Sequence, residues 1–219
     1  MPPLPSPLTI PRISPERVQG PTFFDDFDFP NLSLPFGQAW LPALEPAFRP
    51  GTVRLALAGD TLLVSATLSD DHITTTATAD QQFLWELGDV FEIFMQAEGH
   101  SDYHEFQLSP GNHLLSLHYP HPAADRTRGL ASYLRPSPIR DHEVEIEPTA
   151  RRWHVALRLP LSSLLPPGAP LPLIWQMAAC RYDYHKDGTF TLASTAQLTK
   201  PQFHRIADWT RIKLPPPTA

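Results

Sequence analysis

The sequence predicts an all-β protein: an antiparallel β-sandwich of immunoglobulin-like or jelly-roll-like two-sheet architecture. Three observations carry this. Short runs of period-two alternation recur along the chain, and turn-forming residues punctuate them at intervals of about ten residues. No segment sustains a helical period. Proline reaches 27 of 219 residues, and proline interrupts helices and central strands alike. With 42% hydrophobic residues the chain can bury a substantial core, as one domain of sandwich size.

The elements follow in order. Residues 1–21, rich in proline, read as an extended arm docked loosely or left disordered. The sandwich is expected over 22–214, with 215–219 as a tail. FFDDFDF (23–29) suits an edge strand at its entrance. TVRLALA (52–58) and TLLVSATL (61–68) flank Gly59-Asp60, a hairpin signal. A polar loop then leads to Trp85. Strands near 89–96 and 102–109 are joined by the turn AEGHSD, and HLLSLHY (113–119) follows Pro110-Gly111-Asn112.

Residues 120–140 form a long loop rich in Pro, Arg and His. DHEVEIEP (141–148) and RRWHVALRLP (151–160) alternate and pair about Thr149-Ala150. LSSLL (161–165) makes one helical turn. An apolar strand from 173 runs toward the turn Lys186-Asp187-Gly188, and FHRIADWTRIKL (203–214) is a short turn followed by the last strand.

The run from Trp85 to Asn112 is the most informative. Phe91, Ile93 and Met95 form one wholly apolar face, while Glu92 and Gln96 share the other with Val90 and Phe94. On the next strand Tyr103, Glu105, Gln107 and Ser109 lie together, opposite His104, Phe106 and Leu108. Two strands thus expose acids, amides and aromatic edges, with Trp85 at the entrance. Sugars need such a set: polar partners for hydroxyls and aromatic faces for C–H surfaces.

A carboxylate in an apolar strand is costly unless paired. Glu92 therefore calls for a partner, and Arg181 is the candidate. Glu105, nearer the turn, reads as solvated. Trp153 reads as core, and Trp175 as core or the wall of a cleft.

Composition excludes other classes. A formal charge of −6 supplies no basic footprint for nucleic acid. No apolar stretch reaches transmembrane length, so no membrane partner is expected. The first residues lack the charged start and apolar core of a signal peptide, so the sequence taken at face value reads as cytoplasmic; a mis-called start or trimmed leader would leave secretion open. The single cysteine, Cys180, sits in an apolar run and reads as a buried thiol. No GxSxG, P-loop, GxGxxG, HExxH or CxxC pattern is present, so no catalytic residues are expected. The ten histidines read as surface or hairpin residues, with no metal site and no cofactor.

Four ordered blocks carry a family resemblance. They are the hairpin ending in TLLVSATLSDDHI; Trp85 followed by GDVFEIFM; YHEFQLSPGN; and WQMAACRYD followed by FHRIADWTRIKL. In these blocks, over residues 22–214, the chain resembles the family 9 carbohydrate-binding modules and the wider DOMON-like β-sandwiches.

The resemblance implies non-catalytic binding of a glycan in a slot between two tryptophans. Trp85 matches the first tryptophan and Glu92 the acid on the following strand. Gln107 falls near a position that is arginine in the family, and Arg181 lies on the arginine-bearing strand. On this reading Trp85 stacks on a sugar ring while Glu92, Gln107 and Arg181 bind hydroxyls. The second tryptophan is missing from STAQLTKPQFH (194–204), where Phe203 and His204 are the nearest substitutes.

The resemblance also implies structural calcium, with Asp25, Asp26, Asp28, Asp60, Asp70 and Asp71 as oxygen donors. Its DOMON side implies a haem alternative, with Met95 or Met177 and a histidine as axial ligands. A third possibility is a structural or interaction β-sandwich without sugar binding.

Overall fold

A computed structural model describes residues 5–14, 30–121 and 129–216. FFDDFDF and its three aspartates lie outside the described residues, as does part of the loop at 120–140.

Thirteen strands are formed among the described residues: β1 (Leu8–Thr9), β2 (Arg12–Ile13), β3 (Leu32–Pro35), β4 (Gly51–Ala58), β5 (Thr61–Ser69), β6 (Val90–Ala97), β7 (Tyr103–Leu108), β8 (Leu114–Tyr119), β9 (Asp141–Glu147), β10 (Arg152–Pro160), β11 (Ile174–Tyr184), β12 (Phe190–Ser194) and β13 (Thr210–Lys213). One sheet runs β1-β13-β11-β6-β7-β8, with β12 also paired to β11. The other runs β2-β4-β5-β10-β9, with β3 also paired to β4. Among the described residues helical structure is limited to single 3₁₀ turns, one of them at Leu161–Leu164 as expected.

The sandwich expected from alternation is present. Phe91, Ile93 and Met95 of β6 face Val53, Leu55, Val64 and Leu68 of the other sheet's strands in one buried core. Trp153 and Trp175 are both fully enclosed there. Each such side chain contributes roughly 1.5–3 kcal/mol by leaving water. Met95 and Met177, the candidate haem ligands, are register partners packed into the same core.

Two expectations are corrected. The proline-rich arm is not a loose tail at residues 8–13. Leu8-Thr9 pairs in parallel with β13, and Arg12-Ile13 pairs in parallel with β4, so the chain adds a strand to each sheet. Ile10, at the crossover, is fully buried. Pro7 and Pro11 flank these pairings rather than interrupting them, and the carbonyl of Pro11 still accepts the Leu57 N–H at 2.9 Å.

The second correction concerns the polar face of β6 and β7, expected to be open. Every residue of β6 is buried. A second apolar cluster, including Leu84, Tyr133, Leu198, Phe203 and Trp209 from connecting segments, packs over this outer face. The sheet is therefore covered on both sides, and the polar residues lie at the bottom of a cleft.

Candidate functional site

The floor of the cleft follows from strand register. β6 and β7 pair so that Glu92 faces Gln107 directly, and Glu105 sits two residues along β7 on the same face. The Gln107 amide donates from Nε2 to Glu92 Oε1 at 2.8 Å and to Glu105 Oε1 at 2.5 Å. One amide nitrogen thus spends both hydrogens on two carboxyl groups. Glu105 Oε2 and Gln107 Oε1 are left without hydrogen-bond partners. All three residues are almost fully buried, at 2%, 3% and 0% exposure for Glu92, Glu105 and Gln107.

Burial, reinforced by the charge of Glu105, pushes the Glu92 carboxyl well above the usual range. Burial likewise lifts Glu105 to about 7, against the opposing pull of Gln107 and the nearby Tyr119 hydroxyl. Near neutrality the floor therefore carries fewer negative charges than its two carboxyls suggest.

Aromatic rings form the walls. Tyr103 and Tyr119 are cross-strand partners with rings stacked 4.6 Å apart, and Tyr133 continues the row at 4.9 Å from Tyr119. Tyr182 meets Phe203 edge-on at 5.6 Å. The cleft encloses about 630 Å3 and is lined by these tyrosines, Trp85, Phe203, His204 and Arg205 above the Glu92–Gln107–Glu105 floor. That size and mixture suit a small organic ligand.

Trp85 is held at the rim by its loop. Leu84–Glu86 form a 3₁₀ turn, and Trp85 packs on Phe83 at 5.1 Å. The Trp85 carbonyl accepts the Tyr184 hydroxyl at 2.6 Å. Gly88 makes the loop possible: its φ is +140°, and a Cβ there would come within 2.4 Å of the Thr74 carbonyl oxygen.

The opposite wall is pinned as firmly. The Trp209 indole donates to the Phe203 carbonyl at 2.7 Å, the Tyr103 hydroxyl lies 2.9 Å from His204 Nδ1, and Arg205 pairs with Asp208 at 2.7 Å. Phe203 and His204 both line this part of the cleft.

Three of the four sequence-predicted residues, Trp85, Glu92 and Gln107, line this cleft. Arg181 does not join them, and the expected Glu92–Arg181 pair is not formed. Register sets Cys180 opposite Glu92, which turns Arg181 to the inner side of β11. There Arg181 donates to the Ser69 carbonyl at 2.8 Å and pairs with Asp70 at 3.2 Å and Asp183 at 3.3 Å. Glu105, read from sequence as solvated, is part of the floor instead. Tyr103 lies on the face expected for it, whereas Tyr119, its cross-strand partner, and Tyr133 and Tyr182 were not foreseen in the cleft.

The Arg181 cluster tests the calcium expectation. Asp70, Asp89 and Asp183 bring oxygens within 4.8 Å of one another. Both Asp89 oxygens already accept backbone N–H groups, from Thr74 at 2.5 Å and Tyr184 at 2.7 Å. Asp70 accepts from His72 N–H and from Arg181. Asp183 Oδ2 alone among these six oxygens lacks a partner. Calcium takes six to eight oxygens, so this set, with a guanidinium among its carboxylates, does not fit the ion.

Asp60 and Asp71 are committed elsewhere. Asp60 accepts the Ser162 hydroxyl, and Asp71 pairs with Arg49 at 2.6 Å.

A second group of metal-ligating types, Asp102, His104 and His118, ties the hairpin down. His118 Nε2 lies 2.9 Å from Asp102, the two imidazoles stack at 4.5 Å, and His104 Nε2 lies 3.2 Å from the Leu164 carbonyl beyond β10.

No protein-family model matches the chain, and no curated protein matches it. Solved structures do. A candidate carbohydrate-binding protein from Bacteroides uniformis superposes with a TM-score of 0.66 at 17% identity, over 96% of this chain and 99% of that one. A family 9 carbohydrate-binding module from Caldicellulosiruptor kristjanssonii, solved with cellotriose, gives a TM-score of 0.52 at 15% identity, over 81% of this chain and 80% of that one.

The chain has a fold like that of carbohydrate-binding modules.

The same Caldicellulosiruptor module solved with glucose gives a TM-score of 0.52 at 14% identity, over 81% of both chains. At such identities the likeness concerns the carbohydrate-binding-module fold, and the chemistry rests on the cleft itself.

Proposed function

We propose that the cleft binds a carbohydrate without transforming it. The observation that carries this is the pair of unpartnered acceptors, Glu105 Oε2 and Gln107 Oε1, on the floor of an aromatic-walled cleft. Buried acceptors without partners are costly, and a ligand rich in hydroxyl donors offsets that cost. Trp85 at the rim stacks on a sugar ring, Glu92 and Gln107 help bind hydroxyls from below, and Phe203 and His204 close the far side. The family 9 modules solved with cellotriose and glucose support the reading by their shared fold.

Catalysis is disfavoured by the same geometry. A glycosidase sets two carboxyl groups on either side of the scissile bond. Glu92 and Glu105 instead lie side by side on one sheet face, joined through one amide nitrogen. Stacking and a few hydrogen bonds give an affinity on the order of micromolar to millimolar.

Calorimetric titration of mono- and oligosaccharides into the intact protein and Trp85→Ala tests the reading. Binding that weakens at least tenfold in the variant supports it. Absence of binding to any glycan, or equal binding by both proteins, overturns it.

A further inference from the structure

Among the described residues no cation is bound to the two acids of the floor, and burial lifts both carboxyls instead. Glu92 and Glu105 approach the same amide nitrogen within 2.8 Å and 2.5 Å, so the two carboxyl groups are close neighbours. Arg181, the partner that the sequence suggested for Glu92, is bound to Asp70 and Asp183 on the other face of β11. Of the cationic side chains lining the cleft, Arg205 is paired with Asp208, and His204 Nε2 stands 3.9 Å from Glu105 Oε2, beyond hydrogen-bond reach. Two buried acids thus share a neutral donor, and Glu105 Oε2 accepts no hydrogen bond, although the Tyr119 hydroxyl and the His204 imidazole lie nearby.

We infer that the preferred occupant is a sugar bearing a protonated primary amine, seated with its ammonium on the Glu92–Gln107–Glu105 floor. This rests on the carbohydrate reading above and names the chemical class within it. An ammonium brings three N–H donors. Glu105 Oε2 and Gln107 Oε1 are the two vacant acceptors, and Glu92 lies beside them. Hydrogen bonds from a cation to a carboxylate are roughly twice as strong as neutral ones. Tyrosine rings also line the cleft above the floor, and aromatic rings attract a nearby cation. A hydroxyl at the same ring position offers one donor and no charge. An N-acetyl group offers one N–H, no charge and added bulk.

The test is calorimetric titration of the intact protein with glucosamine and its β-1,4-linked dimer, beside glucose, cellobiose and N-acetylglucosamine. The amine sugar is expected to bind at least tenfold more tightly than its hydroxyl and N-acetyl counterparts. Glu105→Gln, which keeps the shape and removes the charge, is expected to bring that ratio to within about twofold, with circular dichroism confirming the fold. Glu92→Gln serves the same purpose if the first variant does not fold. If neutral sugars bind as tightly as the amine, or the preference survives both variants, the inference fails while carbohydrate binding stands. If none of the five binds, the inference fails; if a wider set of glycans also fails, the carbohydrate reading falls with it.

Discussion

Gln107 donates to Glu105 Oε1 at 2.5 Å from two residues along the same strand, and each residue keeps one buried acceptor without a partner. The same amide reaches across to Glu92. This single side chain therefore organises the floor, and its removal is the first substitution to make. Gln107→Leu leaves two buried carboxyl groups without their common donor. Stability is expected to fall by about 2–4 kcal/mol in urea denaturation, with sugar binding lost.

Arg181 supports the sandwich from the other side of its sheet. Arg181→Met leaves Asp70 and Asp183 without their cation, and breaking such a buried pair costs about 3–5 kcal/mol. Arg181→Lys keeps the charge and is expected to recover part of the loss. Chemical denaturation of the three proteins ranks them. Sugar affinity should be nearly unchanged in the lysine variant, because Arg181 does not line the cleft.

Stability should fall as pH rises through neutrality. Burial lifts Asp183 to about 6, Glu105 to about 7, and Asp89, which also feels the Asp70 charge, to about 8. The unfolded chain sheds these protons near pH 4. Between about pH 4 and pH 8 these three carboxyls therefore hold protons in the folded protein that the unfolded chain has lost, and each step upward favours unfolding, opposed below about pH 6.5 by His104, which burial lowers to about 4. Below this window the contribution is fully present; above it, gone. The lowered carboxyls, such as Asp71 beside Arg49 and Asp102 beside His118, act only in more acidic solution. Thermal melts should give a Tm several degrees higher at pH 5.5 than at pH 8.5. The opposite order would contradict these assignments.

The arm is a working part of both sheets. Ile10 is fully buried between β1 and β2, so Ile10→Ala should cost about 2–5 kcal/mol, read as a lowered midpoint in denaturant. A loose tail would show no change.

Sequence and structure agree where strand parity decides the outcome. Alternation places Phe91, Ile93 and Met95 inward and Glu92, Glu105 and Gln107 together on the other face, as the register confirms. Parity also explains the misplacement of Arg181: one residue of register on β11 moves a side chain between faces, and sequence fixes no register between strands so distant in the chain. The N-terminal pairings were hidden because two residues are too few to show a period. Glu105 read as solvated because the segments covering it, around Tyr133 and Phe203, come from far along the chain.

The most direct test is a crystal structure of the protein soaked with the sugar that binds most tightly. The account predicts a ring against Trp85, with polar atoms within hydrogen-bond distance of Glu105 Oε2 and Gln107 Oε1. A sugar bound elsewhere on the sandwich, with the floor untouched, would contradict it.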